Sequence, residues 1–264
     1  MTDIVEVEDR GAVRIIAINR PEVRNALSYD TLVKLRRAFK QAGKSDHLRA
    51  VVLTGRGGAF SGGADVKEWN DMATGKAPPP DPDKDWVETA VVIVQEIFHF
   101  PKPTIAMIDG AAVGAGLDFA LACDFRIASK RAKFICAYTR VGFSPDAGGS
   151  WLMPRLIGLD AAKMFAYTGE SWDGTKAAAA GLVTEAVELE ELEPRAMALA
   201  EKLAAGPTVA IAQTKALINN AHRRTFNEQL ADEVRAGKIC GASADHREGL
   251  TAVNEKRPAR FIGS

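Results

Sequence analysis

Residues 104–129 read TIAMIDGAAVGAGLDFALACDFRIAS. The opening TIAMI is an apolar run of strand length. DGAAVGAGLD is a glycine-rich turn, the apolar residues that follow it continue as a helix, and FRIAS is a second short strand. A glycine-rich turn that opens a helix presents N–H groups with no intrahelical partner, at the positive end of the helix dipole. Negative charge is favoured there. The arrangement occurs a second time. RAVVLTG (49–55) is a buried strand by composition, and GGAFSGGADVKEW (57–69) turns from it into a helix. Backbone N–H groups come from Gly62, Gly63 and Ala64 in one turn and from Gly114, Ala115 and Gly116 in the other. Glycine at these places lets a ligand approach the main chain. Aimed at one point, two such turns form a two-donor oxyanion hole. Taken singly, each turn is as well explained by close backbone packing.

Other glycine motifs fail. GAAVGAG lacks the spacing of a dinucleotide fingerprint, and there is neither a phosphate-binding P-loop nor a G-x-S-x-G nucleophile elbow.

Outward from these turns, strands and helices alternate. IVEVEDRGAVRIIAINR (4–20) reads as two strands joined at Asp9–Gly11. Ser28 is placed to cap a helix carrying Leu32, Leu35 and Phe39 at helical spacing. TGKAPPPDPDKD (74–85) is too rich in proline for regular structure and is expected to be a surface loop within the domain. Asp85–Phe100 is an apolar-faced helix stopped by PKP. From Glu191 onward the chain reads as nearly all helix, broken at Gly206–Pro207 and around Gly241. The pattern predicts mixed α/β structure over roughly the first 190 residues, followed by a helical part.

The chain has 264 residues, 47% hydrophobic, and zero formal net charge. Such a chain buries one sizeable core and carries no general attraction for nucleic acid or anionic membrane. No apolar run reaches the ~20 residues of a membrane span, and the acidic N-terminus is unlike a targeting peptide. Cys123, Cys136 and Cys240 are scattered and odd in number, which fits a reducing, cytoplasmic setting and small buried side chains. His47, His99, His222 and His246 have no nucleophile or metal-ligand pattern around them, so no metal is expected.

The blocks AFSGGADVKEW, PTIAMIDGAAVGAGLDFALACDFRIAS, FSPDAGGSWLMPRLIG, YTGE and EKRPARF together resemble the enoyl-CoA hydratase/isomerase, or crotonase, family, in its order and over nearly the whole chain. The resemblance implies an α/β crotonase-like spiral of strand–strand–helix units over 1–200 and a C-terminal helical region over 201–264. That region packs subunits into homotrimers or dimers of trimers. It also implies an acyl-CoA thioester as ligand, with CoA part of the substrate and no separate cofactor. Matching the two turns puts the oxyanion donors at the N–H groups of Ala64, beside Gly63, and Ala115, beside Gly114. Two fixed donors stabilise a thioester enolate more than its neutral ground state.

Hydration needs one group to activate water and another to protonate the α-carbon. Family hydratases commonly use two glutamates, and the motifs align these with Asp118 and Tyr138. Tyr138 departs from the pattern, because a phenol with a pKa near ~10 is a poor base. Asp146, in SPDAGG, stands where family members that shift a double bond include an aspartate. Asp118 and Asp146 suit isomerisation at least as well as hydration. Asp118 is also explained by the helix dipole and Asp146 by capping the helix after Gly148–Gly149. For CoA the resemblance points to Lys67 at a phosphate, to Arg24 in the block that lines the nucleotide region and to Lys256 reaching a neighbouring subunit's ligand, and each is also explained as a solvated charge. Trp69, Met72, Trp86 and Phe143 flank the motifs as acyl-pocket or core residues. A non-catalytic acyl-CoA-binding or scaffold protein of the same fold is the competing reading.

Overall fold

The computed structural model describes residues 3–76 and 85–264. The expected proline-rich loop falls mostly on 77–84, outside the described residues. Nine strands are β1 (Val5–Arg10), β2 (Val13–Ile18), β3 (Ala50–Gly55), β4 (Thr104–Ile108), β5 (Ala111–Val113), β6 (Phe125–Ser129), β7 (Lys133–Ile135), β8 (Ser171–Asp173) and β9 (Glu185–Val187), counted among the described residues. One sheet runs β1-β2-β3-β4-β6-β9, antiparallel at β1–β2 and parallel from there on. A second, β5-β7-β8, stands apart from it. The first hairpin turns at Gly11–Ala12, slightly later than the sequence suggests.

The helices fill in around the sheets. In the first half they are α1 (Tyr29–Lys44), α2 (Val66–Ala73), α3 (Trp86–Phe98) and α4 (Ala115–Ala122). Then come α5 (Gly149–Ile157), α6 (Leu159–Thr168), α7 (Gly174–Ala179) and α8 (Leu189–Ala204). The C-terminal set is α9 (Thr208–Asn220), α10 (Phe226–Ala242) and α11 (Ala244–Glu255). Ser28 caps α1 as expected, accepting from the Thr31 N–H, and Asp85 caps α3 in the same way through the Glu88 N–H.

Successive side chains of a strand point to opposite faces, and here both faces of the large sheet are covered. Ile16, Ile18, Val51, Leu53, Ala106 and Ile108 face the core built by α1, α3, α4 and α5. Their neighbours Val13, Ile15, Val52, Ile105 and Met107 face α8, against Leu192, Ala196, Met197 and Ala200. Burial on both sides is why these strands read as unbroken apolar runs. Helix α8 crosses residue 200 and stays in this core to Ala204. Beyond it, α9 is docked by Lys215, which donates to Asp124 Oδ2 at 2.8 Å. The C-terminal tail is held by Asp245, whose carboxylate accepts from the N–H groups of Ile262 and Gly263.

The loop between β2 and α1 supplies a brace that sequence reading did not single out. Asn25 is fully buried, in the left-handed region at φ 58°. Its Oδ1 accepts from the Arg20 N–H at 2.7 Å, and its Nδ2 donates to the carbonyls of Arg56 (2.8 Å) and Ala59 (2.6 Å). Its own carbonyl accepts from Ser61 Oγ at 2.9 Å, and that Oγ accepts from the Gly63 N–H at 3.2 Å. Asn25→Ala strands several of these groups without partners, each orphan costing ~1–3 kcal/mol. A drop in stability of roughly 2–4 kcal/mol, read as a lower denaturant midpoint at unchanged slope, is expected.

Candidate active site

The two glycine-rich turns lie side by side. Ser61 donates its N–H to the Ala111 carbonyl at 2.8 Å, and its carbonyl accepts the Val113 N–H at 3.0 Å, a parallel bridge across to Ala112. Neither turn has room for a side chain where they meet. A methyl carbon at Gly63, at φ +85°, would lie 2.7 Å from the Val113 carbonyl oxygen. One at Gly116 would lie 2.5 Å from Ser61 Cβ. Ala64 follows Gly63, and Ala115 follows Gly114, which stands at φ 52° as the residue capping α4. Among the described residues, neither the Ala64 nor the Ala115 N–H has a backbone partner outside the helices and strands. Ala115 is the first residue of α4, where no intrahelical carbonyl reaches its N–H.

One turn into α4 stands Asp118, with no exposure to solvent. The Tyr138 hydroxyl donates to its Oδ2 at 2.7 Å. Its Oδ1 faces the start of α5 so closely that a methyl carbon at Gly149 would sit 2.1 Å away. The Gly149 N–H faces it without completing a hydrogen bond of ordinary geometry. Burial pushes the Asp118 carboxyl up to about 7, with the Tyr138 hydroxyl and the Gly149 N–H opposing and the nearby Asp146 adding to the rise. Burial and the facing carboxyl also raise the Tyr138 phenol far above its ordinary range.

Asp146 lies in the loop before α5. It caps nothing: Gly148 occupies the capping position of α5 and makes no side-chain bond. Asp146 is half-buried, and neither of its oxygens has a hydrogen-bond partner among the described residues. Burial raises this carboxyl too, and the Tyr138 hydroxyl is the main opposing influence. The structure thus gathers Asp118, Tyr138 and Asp146 at the start of α4 and α5, and places the second glycine turn beside them: Gly114 lies against the Tyr138 ring, where a methyl carbon would be 3.9 Å from Cζ.

Other predicted residues sit around this centre. Arg24 is exposed and left-handed, and its carbonyl accepts the Gly62 N–H at 2.7 Å, so it borders the first turn. Lys67 is exposed in the first turn of α2. Trp69 packs edge-on against Trp86 at 5.3 Å and Phe143 at 6.1 Å, an aromatic cluster beside the first turn. Trp86 Nε1 donates to the Leu27 carbonyl, whose residue bridges to Ala64. The Met72 side chain falls outside the described residues. Lys256 ends α11, exposed and with no side-chain bond to these residues. Asp124 accepts from Lys215 Nζ and from the Thr104 N–H. A cavity of about 840 Å³ lies between α4, α5 and α9, bordered by Phe98, Trp151, Arg155 and His222. None of the candidate residues lines it. Among the described residues no cluster of His, Cys, Asp or Glu could hold a metal ion. No helix there is long and apolar enough to cross a membrane.

Sequence reading missed Asn25, Ser61 and Gly149. Gly149 was visible as the second of two glycines, and a helix beginning on glycine was the available signal. Gly149→Ala drives a methyl carbon into Asp118. Its expected cost is about 1–3 kcal/mol of stability, with a fall in activity larger than at any exposed glycine such as Gly158. Thermal melts and initial rates on the same preparations check this. Asp118 also makes stability depend on pH. The fold raises this carboxyl, so the folded chain holds the proton more tightly than the unfolded one. Its contribution is favourable below the unfolded value of ~4 and is lost as pH rises to about 7. Melting temperature plotted over that interval should lose this downward component in Asp118→Asn.

Comparison with known proteins agrees with this arrangement. The family model described as enoyl-CoA hydratase/isomerase matches residues 8–264. The chain is 35% identical over 251 residues to the 1,2-epoxyphenylacetyl-CoA isomerase of Escherichia coli (strain K12), covering 95% of each. It is 38% identical over 259 residues to a probable enoyl-CoA hydratase of Rhodobacter capsulatus, covering 98% of each. The crystal structure of an enoyl-CoA hydratase from Bacillus anthracis superposes with a TM-score of 0.92 at 33% identity, over 99% of this chain and all of that one. A mixed α/β spiral with a helical C-terminal region, two abutting glycine turns and a match along nearly the whole length lead to one conclusion: the chain belongs to the enoyl-CoA hydratase/isomerase family of enzymes.

Proposed function

We propose that this enzyme shifts the double bond of an enoyl-CoA, with Asp146 as the proton carrier and the N–H groups of Ala64 and Ala115 as an oxyanion hole. The observation that carries this reading is the contrast between the two acids. Asp118 is bonded to Tyr138, whereas Asp146, whose oxygens are likewise closed off from solvent, has both of them unpartnered among the described residues. A base needs an oxygen free to take the proton: both oxygens of Asp146 are unpartnered, whereas Asp118 has one oxygen bonded to Tyr138 and the other turned onto Gly149.

The steps follow from the chemistry. Asp146, ionised, takes a proton from the α-carbon of a 3-enoyl thioester. The electron pair moves into the carbonyl, and the negative oxygen rests on the two backbone donors. Loss of one such donor costs about 3 kcal/mol in comparable sites. The protonated Asp146 then returns the proton to the γ-carbon, leaving the 2-enoyl thioester. No water is consumed, and the base is regenerated.

Arg24 and Lys67, exposed on either side of the first turn, suit the phosphates of CoA. The Trp69–Trp86–Phe143 cluster suits an apolar acyl group, and the isomerase relative's named substrate is an aromatic one. Exposed Phe226, Leu230 and Val234 recur at four-residue spacing along α10, an apolar row that supports self-association into a trimer. Light scattering on the purified protein reads that mass directly.

The reaction is tested by incubating the enzyme with 3-enoyl- and 2-enoyl-CoA in deuterated water and following product mass and label position. A double-bond shift gives isomerised product without added water, and Asp146→Asn abolishes it. Water addition as the sole outcome, or full turnover by Asp146→Asn, overturns the proposal. The sign of the pH dependence is also set. Asp146 acts ionised and its carboxyl is raised, so kcat/KM falls with acid at a pH above that of an ordinary aspartate.

A further inference from the structure

Tyr138 has a place in this site beyond packing. It lies in the single helical turn Tyr138–Val141 that follows β7, and it is buried. Its ring end abuts Gly114, its hydroxyl donates to Asp118 Oδ2, and the same hydroxyl favours the ionised form of Asp146. One O–H group therefore stands where the second glycine turn and the two acids meet.

Water activation between two carboxyls needs a free oxygen on each, close enough to hold the same water. Asp118 offers none in the open. Oδ2 accepts from the Tyr138 hydroxyl, and Oδ1, although without a partner, is closed off from solvent against the Gly149 backbone. We propose that Tyr138 is a positioning residue that decides the reaction type. By occupying Asp118 beside the glycine turn, it prevents a water from being shared by the two acids and leaves proton transfer through Asp146 as the reaction. This rests on the double-bond shift proposed above and assigns its selectivity to one hydroxyl.

Removing that hydroxyl has defined consequences. Tyr138→Phe frees Asp118 Oδ2 and opens a gap on the order of one water at a polar wall, which a water fills. The groups facing the acids are then Asp146 and Asp118 themselves, the Gly149 N–H from α5, and the Cys136 thiol after β7, itself raised by burial to about 12. None of these replaces the lost donor. Both carboxyls rise further.

The test uses Tyr138→Phe with enoyl-CoA in ¹⁸O-labelled water. The expected result is a ratio of hydrated to isomerised product at least about tenfold above that of the unmodified enzyme. The acidic limb of kcat/KM moves to higher pH, and KM changes little. A merely structural tyrosine lowers both products together and leaves the limb in place, and that result overturns the proposal. Because the variant removes a buried bond, a second measurement leaves the fold intact. The chain has three tyrosines, and replacing all of them with 3-fluorotyrosine strengthens the donated bond. It should move the acidic limb to lower pH; an unmoved limb counts against the proposal. If the unmodified enzyme already adds ¹⁸O as its main reaction, or Asp146→Asn stays active, the proposed function fails. If those controls hold and Tyr138→Phe alone behaves as the unmodified enzyme, only the role of Tyr138 fails.

Discussion

The structure depends on the contact between two stretches of main chain, Ser61–Ala64 and Ala111–Ala115. They are joined by a single parallel bridge and pressed together where Gly63 meets Val113 and Gly116 meets Ser61. Backbones approach this closely only where side chains are missing. The approach leaves the Ala64 and Ala115 amides on adjoining turns, and it fixes where α4 begins and so where Asp118 points. Asn25 secures the contact from behind. Its side chain closes off carbonyls that the turn cannot pair internally, and its main chain holds the Ser61 hydroxyl.

Burial then sets the chemistry. A carboxyl with no access to water favours its neutral form, and a second carboxyl nearby raises that preference. Two donors oppose this at Asp118, the tyrosine hydroxyl and the N–H at the start of α5. At Asp146 the opposing influences are the same hydroxyl and the residue's own backbone N–H. Two aspartates of identical intrinsic acidity therefore differ in their partners. That difference, rather than their mere presence, underlies the separate roles proposed for them.

Much of the framework is legible in the amino-acid order. The apolar runs of β3, β4 and β6 and the capped helices α1 and α3 follow from composition and spacing. The glycine turns follow too, since glycines ahead of an apolar helix are a local signal. Asp118 falls in the first turn of its helix on the same grounds. The capping alternative for Asp146 is equally local, but the structure gives that position to Gly148. Asn25 carries no such signal, because an asparagine in an irregular link looks like any turn residue until its carbonyl partners, more than 30 positions away, fold around it.

By itself the sequence determined the alternation of strands and helices, the two anion-favouring turns and the family to which they belong. Those features rest on short-range rules of periodicity, capping and glycine geometry, which a chain carries wherever it goes. Only the tertiary structure decided that the hydroxyl of Tyr138, 20 residues beyond Asp118, would donate to that acid, and that Gly149 would leave room for it. Burial, partners and distance belong to groups that meet across the fold, and no local pattern encodes which of two carboxyls will gain a partner and which will go without one.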